Sequence, residues 1–499
     1  MRRILLLVFF LIQSFNFLIA KNNYINNFLS LDNSLQYNMI EYLIIKSNQN
    51  EIFILNQPYS INQVSRLFNN SDIVSSNLRY QYNYLHKNNR KVRFKNSLGF
   101  NMVDYHKGSP LKTYIKLRGI FDFKNTLLVG SIDLDKTLKD DILFHGDKKE
   151  WATAFIKDSY MLHRNQDIEL FGGRISRNFG ILNEYSLLFS NNPFPFDHYG
   201  FSVKNKKIKY SFYTTRLNNI KEGVDLQGIV IDNEITDLGD TLLNVQDTKR
   251  YFAIQRIDFK VSDKIQGALS ASSVYGGPNQ SFEAEYLNPL NIFYVSQRNS
   301  QIQMNNLYQL NLFYNISNHR ALFVDFLIDD IIINNEEGYN GSDYKDNRFG
   351  LILKYSEVDF LFRKNLFSIT YSKIWNETYL SYRNFENYIF FNKGIGYPYN
   401  SYESLKISIS NFNFSNLLNK FYFQIYQKGN NSLLDTELFN PDIQEFPLNP
   451  NKKGLIFNFD LLYIGFKDFS IAYSFNYNKK KNSDSETAHK FKLVYNFQY

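Results

Sequence analysis

Seven histidines are the residues best suited to acid–base or metal chemistry, and they are scattered along the chain: His86, His106, His145, His163, His198, His319 and His489. The chain contains neither an H-E-x-x-H zinc motif nor a G-x-S-x-G nucleophile motif. A membrane-barrel phospholipase would need a His-x-Ser-Asn type of motif, but Arg164-Asn165 follows His163 and Tyr199-Gly200 follows His198. We therefore expect that this protein is not an enzyme.

Three aspartates, Asp325, Asp329 and Asp330, raise the question of a metal site. Calcium sites need six or more oxygen ligands, often supplied by glycine-containing loops, and this group lacks that spacing. Structural ion pairs are the better interpretation, and we expect neither a metal nor another cofactor. The chain has no cysteine, which excludes disulfides, thiolate catalysis, Cys-based zinc sites and a lipid-modified N-terminal cysteine.

Two arginines have side chains that suit sugar hydroxyls or acidic groups. Arg174 and Arg177 come just before Gly180, in a segment that reads as a turn. They could instead face the inside of the fold and pair with a carboxylate such as Glu184 or Asp329. We favour that pairing, because interior charges must be satisfied.

Aromatic and acidic segments offer further candidates. The stretch NPFPF (192–196) could form a platform on which flat rings stack against sugars, or a turn whose phenylalanines contact lipid, since proline breaks strand pairing. We leave both open. The acidic segment from Ile220 to Asp247 could bind calcium or a partner, although a solvated loop is the ordinary interpretation.

The elements that must position these residues are strands, because apolar and polar residues alternate from about Val92 to Tyr499. FSIAYSFNYN (469–478) and the C-terminal HKFKLVYNFQY (489–499) are the clearest examples, and we predict that they form the last hairpin. No amphipathic helix interrupts the strands for long, which argues against parallel βαβ units.

Two antiparallel architectures remain, a soluble sandwich or solenoid and a transmembrane barrel. The polar face is rich in Asn, Ser, Gln and Lys, while the apolar face is dense in Phe and Tyr, as the aromatic girdles of membrane barrels require. We predict an all-β fold, a transmembrane antiparallel β-barrel with a polar lumen. Roughly 410 residues at a mean repeat of about 23 give about 18 strands.

The N-terminus predicts export followed by a small helical segment. Arg2 and Arg3 precede an apolar run, and cleavage after Ala20 fits a signal peptide (1–20); a membrane anchor is the alternative. Residues 21–90 are predicted to be a helical segment, periplasmic or inside the lumen, in which Ser60 and Gln63 form a capping box. The barrel is predicted to span 91–499. The net charge of +8 has no dense basic run, so we expect no nucleic-acid partner.

One segment, GGRISRNFGILNEYSLLFSNNPFPFDHYGF (172–201), resembles the signature of the Wzi-type capsule-assembly outer-membrane proteins. The matches are Gly173-Arg174, Gly180, the leucine-rich LLFS (187–190), which is a strand in that family, and NPFPF. Further pieces follow in the family's order: RYFAIQRIDFKVS with Arg256, AEYLNPLNIFYVSQ with Tyr286 and Asn288, MNNLYQLNLFY with Asn305 and Asn306, and FVDFLIDDI with Asp329 and Asp330.

The resemblance implies an outer-membrane β-barrel that holds capsular polysaccharide at the cell surface. The expected partners are a surface polysaccharide, outer-membrane lipid and the barrel-insertion machinery, whose signal the terminal aromatic residue resembles. A passive porin-like channel and a surface adhesin are the alternatives. The candidate residues for polysaccharide binding or for a lumen network are Arg174, Arg177, Tyr185, Phe194, Phe196, Arg256, Tyr286, Asn288, Asn305, Asn306, Asp329 and Asp330.

Overall fold

A computed structural model gives the fold. It describes residues 27–47, 52–69, 92–104, 112–123, 125–139, 141–148, 153–222, 234–235, 241–242, 246–277, 280–283, 286, 293–300, 304–330, 347–381, 383–414, 416–435, 445–464, 469–481 and 485–498. The predicted signal peptide, most of the acidic segment after Ile220, Asn288 and the terminal Tyr499 lie outside these residues.

Eighteen long antiparallel strands form a closed wall, which confirms the predicted fold class. The ring closes because β18 pairs with β1, with Gln498 opposite Lys95. The strands are β1 (Val92–Asp104), β2 (Lys112–Phe123), β3 (Thr126–Asp135), β4 (Ser159–Asn165), β5 (Ile168–Arg174), β6 (Asp197–Lys204), β7 (Ile208–Arg216), β8 (Gln246–Lys260), β9 (Ile265–Gly277), β10 (Met304–Ser317), β11 (Arg320–Asp330), β12 (Arg348–Val358), β13 (Asn365–Ile374), β14 (Tyr402–Phe414), β15 (Leu417–Lys428), β16 (Lys452–Ile464), β17 (Phe469–Lys480) and β18 (Ser485–Gln498).

The two ends of the barrel differ in the length of their connections. At one end, which we call the tight-turn end, β4 leads into β5 between Asn165 and Ile168, and β10 leads into β11 between Ser317 and Arg320. At the opposite end, the long-loop end, residues 175–196 join β5 to β6 and residues 375–401 join β13 to β14. Short pieces also occur: strands Ala154–Phe155, Ile220–Glu222, Glu234–Ile235, Thr241–Leu242, Ile389–Phe390 and Lys393–Gly394, and 3-10 helices Lys136–Lys139 and Asn384–Glu386.

The outward face of the wall is apolar, as the alternation predicts. Leu269 and Ile425 each expose 53% of their surface to the outside. The predicted final hairpin is present, with Phe469 of β17 opposite Tyr495 of β18, and Tyr495 is exposed on the same outward row. A soluble protein would not leave a continuous band of this kind uncovered, whereas lipid would cover it.

The described part of the chain contains three α-helices besides the barrel strands: α1 (Ser34–Ser47), α2 (Ile61–Asn69) and α3 (Phe293–Ser300). The capping box forms at the start of α2, where the Ser60 amide donates to Gln63 Oε1 at 3.0 Å and the Gln63 amide donates to Ser60 Oγ at 3.4 Å. None of the helices in the described part of the chain is long and apolar enough to span a membrane.

The lumen is occupied by the N-terminal residues 27–47 and 52–69, which we call the plug segment, and by residues 175–196, the plug loop. The plug segment is tied to the tight-turn end, where Lys46 Nζ lies 2.7 Å from Asp359 Oδ2 and the Tyr42 hydroxyl donates to the same carboxylate. Barrels of 16–18 strands otherwise enclose a wide aqueous channel. The plug therefore supplies side chains that the wall alone lacks.

In one half of the barrel the inward face is a mixture of buried polar and buried apolar residues, and is not uniformly polar. From β8 to β13 many inward residues are apolar and fully buried, because the plug packs on them: Phe252, Ile254, Ala268, Val274, Leu307, Phe313, Phe323, Leu327, Ile352 and Leu366. The stretch Leu187–Ser190, which matched a strand in the family resemblance, is not a strand here. Leu187 and Leu188 are instead fully buried within the lumen.

Candidate functional site

A buried charge network joins α1 to the wall and to the plug loop. Glu41 Oε2 lies 2.8 Å from Lys354 Nζ, and the Ser356 hydroxyl donates to Glu41 Oε1 at 2.7 Å. The amide of Asn183 donates to the same Glu41 carboxylate at 3.0 Å. Glu41 and Lys354 are almost completely removed from solvent, so this network holds the plug and is not available to a ligand.

Arg256, a predicted site residue, is the centre of a second buried network. Its guanidinium donates to Asp258 at 2.9 Å and to Asn311 Oδ1 at 2.7 Å. It also donates to the backbone carbonyls of Leu55 in the plug segment, at 2.9 Å, and Phe179 in the plug loop, at 3.4 Å. With no exposed surface, Arg256 connects both plug elements to β8 and cannot touch a glycan.

Arg174 and Arg177 have different surroundings. Neither arginine pairs with Glu184 or Asp329, the carboxylates named as possible partners from the sequence. Arg174 pairs with Asp197 at 2.7 Å, across from it on β6, at the long-loop end. Arg177 is buried, and its Nε donates to His198 Nε2 at 2.8 Å. Its guanidinium also lies 3.9 Å from the centre of the Tyr213 ring. Arg174 therefore stays accessible, while Arg177 is part of the interior.

Asp329 and Tyr286 make contacts within the fold itself. The backbone amide of Tyr379, in the 375–401 loop, donates to Asp329 Oδ2 at 2.6 Å. Tyr286 is buried against Tyr275, with 4.3 Å between ring centres. Within the described parts of the chain, no group of three or more His, Cys, Asp or Glu side chains could hold a metal.

The remaining polar candidates lie at the long-loop end of the wall. Asn305 and Asn306 are half-buried near the start of β10. Asp330 is the last residue of β11 and lies across from Arg348 in the strand register. Arg174 lies on β5, five strands away from β10 around the wall, and is therefore separate from these positions.

Phe194 is at the centre of a group of aromatic rings and one lysine at the long-loop end, which we call the rim cluster: Phe144, which is buried, and the accessible His145, Phe155, Phe194, Phe390, Phe391 and Lys393. The Phe194 ring lies 5.4 Å from Phe144 and 5.6 Å from Phe155, edge to face. Lys393 Nζ lies 3.9 Å from the centre of the Phe194 ring. Phe196, the other predicted phenylalanine, is buried beneath, 4.8 Å from Phe390.

His145 gives the rim cluster an exposed, flat polar ring. It stacks on Phe391 with 3.9 Å between ring centres and 9° between planes. Burial, and then the positive charges of Arg174 and Lys393, lower the pKa of His145 below its ordinary value of 6.5. The imidazole is therefore neutral at pH 7, and the positive charge of the rim comes from Lys393 and Arg174.

The half of the lumen opposite the packed wall is less tightly packed, and Tyr185 faces it. Inward residues of β15 to β18, such as Gln424, Asn476 and Asn478, are partly exposed, unlike the buried inward residues of β8 to β13. Tyr185 exposes 41% of its surface although it belongs to the plug loop. We call the accessible group Tyr185, Tyr399, Tyr422 and Tyr426, with Tyr397 and Tyr402 behind it, the tyrosine crevice.

Glu184, beside Tyr185, fixes the plug loop to this wall. Its carboxylate lies 2.5 Å from Lys406 Nζ and accepts from the Thr370 hydroxyl at 3.1 Å. Burial would raise the pKa of Glu184, but the positive charges of Lys406 and Lys354 outweigh that effect and hold the pKa below its usual value. Glu184 is therefore ionised at neutral pH.

Sequence reasoning missed most of both surfaces. Phe391, Lys393 and Tyr399 lie in the 375–401 loop, which packs on the plug loop. The Ser190 amide of the plug loop donates to the Ile395 carbonyl at 2.9 Å. Arg250 holds this loop, because its guanidinium donates to the carbonyls of Phe385 and Asn387 at 2.5 and 2.6 Å. Within that loop, GIGYPYNS (394–401) concentrates tyrosine, proline and glycine, and this composition is a signal that could have pointed to Tyr399.

Comparison with known proteins shows similarity of structure only. No protein-family model and no curated protein sequence matches the chain. Wzi of Escherichia coli, an outer-membrane protein involved in group 1 capsule assembly and described as a carbohydrate-binding β-barrel, aligns over 95% of this chain and 99% of its own, with a TM-score of 0.60 and 11% identity.

Two Pseudomonas aeruginosa proteins align less well. OccK3 (OpdO) and OprD each cover 82% of this chain at 10% identity with a TM-score of 0.45, over 95% and 94% of their own lengths. The resemblance inferred from the sequence is thereby confirmed as one of fold: the chain has the β-barrel fold of Wzi.

Proposed function

We propose that this protein is an outer-membrane barrel that binds a surface polysaccharide without covalent chemistry and helps to retain it on the cell. The observation that carries the proposal is the rim cluster at the long-loop end of a plugged barrel. Phenylalanine and imidazole rings there offer flat apolar faces to the C–H faces of sugars, and Lys393 and Arg174 offer donors to hydroxyl or acidic groups.

Several further features support this proposal. The apolar outward band and the predicted signal peptide fit the outer membrane, where the long loops of such barrels face outwards. Wzi, whose fold the chain has, is described as carbohydrate-binding, and we extend that property to this chain. A polysaccharide repeats its sugar units, so many weak contacts to neighbouring molecules of the barrel add up to firm retention.

The plug argues against the porin-like alternative. An open 18-stranded barrel would leave a wide aqueous channel, but here the plug segment and plug loop bury the inward face of half the wall. Retention therefore accounts for more of the described structure than passive diffusion does.

A deletion strain tests the proposal. Removing the gene should release polysaccharide into the medium while total synthesis stays constant, and wild-type protein should restore retention. Phe194→Ala combined with Lys393→Ala should restore it poorly. Phe362→Ala is the matched control, because Phe362 is an exposed phenylalanine at the tight-turn end. Unchanged retention in the deletion strain would overturn the proposal.

A further inference from the structure

The tyrosine crevice lies in the lumen, on the side of the barrel that the plug packs less tightly. Its rings form a continuous row that starts near the long-loop end. Tyr399 lies 5.1 Å from Tyr402, which lies 6.3 Å from Tyr426 on β15. On the other side, Tyr397 links Tyr399 to Tyr185, with ring-centre distances of 6.4 and 6.3 Å. The row therefore runs from the loop at the rim to the plug loop in the lumen.

Several of these rings offer both a flat face and a polar edge to the open space. Tyr185 and Tyr399 expose 41% and 39% of their surface. Gln424 donates to the Tyr402 hydroxyl at 2.7 Å, and the Tyr426 hydroxyl donates to Asn478 at 3.2 Å. Exposed aromatic rings surrounded by amides and hydroxyls suit a ligand that is apolar on its faces and polar around its edge, as a sugar ring is.

The charge of the crevice is positive. Four lysines lie on the inward rows of the strand register of β14, β15 and β16: Lys406, Lys420, Lys428 and Lys452. Lys428 Nζ lies 4.1 Å from the Tyr399 ring, and Lys420 Nζ lies 6.0 Å from the Tyr422 ring. These lysines place positive charge along the aromatic row.

Two carboxylates oppose them among the described side chains of this surface. Glu184 is already paired with Lys406. Asp460 lies across from Lys420 in the register, without an ion pair within 4 Å among the described residues. Nearby, Lys480 and Glu486 pair with each other at 2.7 Å and cancel. Four lysines against two carboxylates leave an excess of positive charge, which favours an anionic ligand.

We infer that the tyrosine crevice is a second glycan site, which takes a segment or an end of an acidic polysaccharide chain into the lumen. The inference rests on the proposed function and adds a place and a ligand class to it. The rim cluster would hold the polymer at the long-loop end, and the crevice would hold a short stretch of it within the lumen. A neutral sugar would gain the ring stacking but not the contact with the lysines.

Binding of short oligosaccharides to the purified full-length protein tests the inference, because these probes are too short for avidity. The probes are a linear oligogalacturonate and the neutral maltohexaose, measured by isothermal titration calorimetry. Wild-type protein should bind oligogalacturonate more tightly. Tyr185→Ala with Tyr399→Ala should weaken that binding about tenfold or more, as truncation of anchoring aromatic residues does.

Three further variants separate ring stacking, charge and folding. Tyr185→Phe with Tyr399→Phe should retain binding, since the rings remain. Lys428→Glu should remove the preference for oligogalacturonate over maltohexaose. Tyr314→Ala, which removes an outward tyrosine of similar exposure (37%), should bind like the wild type. Heat-modifiable migration on gels checks that each variant is folded.

Two outcomes would overturn the inference. One is wild-type protein that binds no oligogalacturonate, and the other is a crevice variant that binds it as the wild type does. If either occurs while the deletion strain still releases polysaccharide, the proposed function stands and only the crevice is excluded. If the deletion strain retains its polysaccharide, the proposed function itself fails.

Discussion

Glu41 in helix α1 and Lys354 in strand β12 form an ion pair of 2.8 Å that is almost wholly removed from solvent. The Ser356 hydroxyl donates to the other oxygen of Glu41, Oε1, and the Asn183 side chain donates to Oε2. Lys354 Nζ also donates to the Leu182 carbonyl at 2.9 Å. One contact thus joins the plug segment, the barrel wall and the plug loop. The pair fixes how the N-terminal residues sit in the lumen.

Breaking this pair from one side should destabilise the protein strongly. Glu41→Ala leaves the Lys354 ammonium buried without its partner, which costs about 3–5 kcal/mol. Replacing both residues, with Glu41→Met and Lys354→Met, should recover most of that loss. Urea unfolding of the detergent-solubilised protein measures both values. Arg320→Ala, which removes a more exposed pair with Glu357, should leave the midpoint nearly unchanged. A double variant no more stable than the single one would contradict this account.

Arg256 should prove to be a structural residue and not a ligand for sugar. Arg256→Met leaves Asp258 Oδ1 and the Leu55 carbonyl without their arginine donor and removes one of the two donors to the Phe179 carbonyl, so the unfolding midpoint should fall markedly. Arg256→Lys should rescue little, because an ammonium cannot reproduce the planar set of five donors. The fraction that folds should still bind polysaccharide with wild-type affinity, and a selective loss of affinity without a change in midpoint would refute the assignment.

Acid should loosen the plug within a defined pH window. Burial opposes ionisation of Asp359, but hydrogen bonds from Lys46, the Lys364 amide and Tyr42 hold its pKa below the ordinary 3.8. A lowered carboxyl pKa gives stability that is complete above the unfolded value and is lost as the pH falls through the folded one. Glu184 behaves alike, with a pKa below 4.5.

The corresponding measurement is the unfolding midpoint as a function of pH. The contribution of these two carboxylates to the midpoint should be constant from pH 7 down to about 4.5. Below that pH the midpoint should decrease as they are protonated. Asp359→Asn should already be less stable at pH 7 and should show a smaller decrease on acidification. A variant with the full acid response would show that Asp359 does not contribute.

The plugged lumen should show in electrical recordings. Wild-type protein in planar bilayers should give no large, steady conductance of the kind expected from an open 18-stranded barrel. The Glu41→Ala variant should show channel openings more often than the wild type, because the substitution weakens the attachment of the plug segment to the wall. Steady large conductance of the wild type would favour the porin-like alternative.

The sequence predicts the wall well because each wall residue faces one of two environments. The alternation of Phe469 to Tyr477 gives the outward face directly, and the strand number follows from length. It fails where residues face neither lipid nor water. Leu187 and Leu188 resemble a strand, yet they are buried on all sides by the plug and by the 375–401 loop.

The sites were predictable only where a side chain acts within a local motif. Phe194 in NPFPF does reach an accessible aromatic cluster. Arg256 could not be separated from a sugar ligand in advance, because its partners lie about 200 residues away at Leu55 and 55 residues away at Asn311. Contacts between distant segments of the chain decide whether such an arginine is buried.

The most direct test of the account is equilibrium binding of the purified protein to surface polysaccharide isolated from the producing strain. Saturable binding is expected, weakened about tenfold by Phe194→Ala with Lys393→Ala and unaltered by Phe362→Ala. No binding by folded wild-type protein, or equal binding by the rim variant and the wild type, would contradict the claim that the rim cluster holds the polysaccharide.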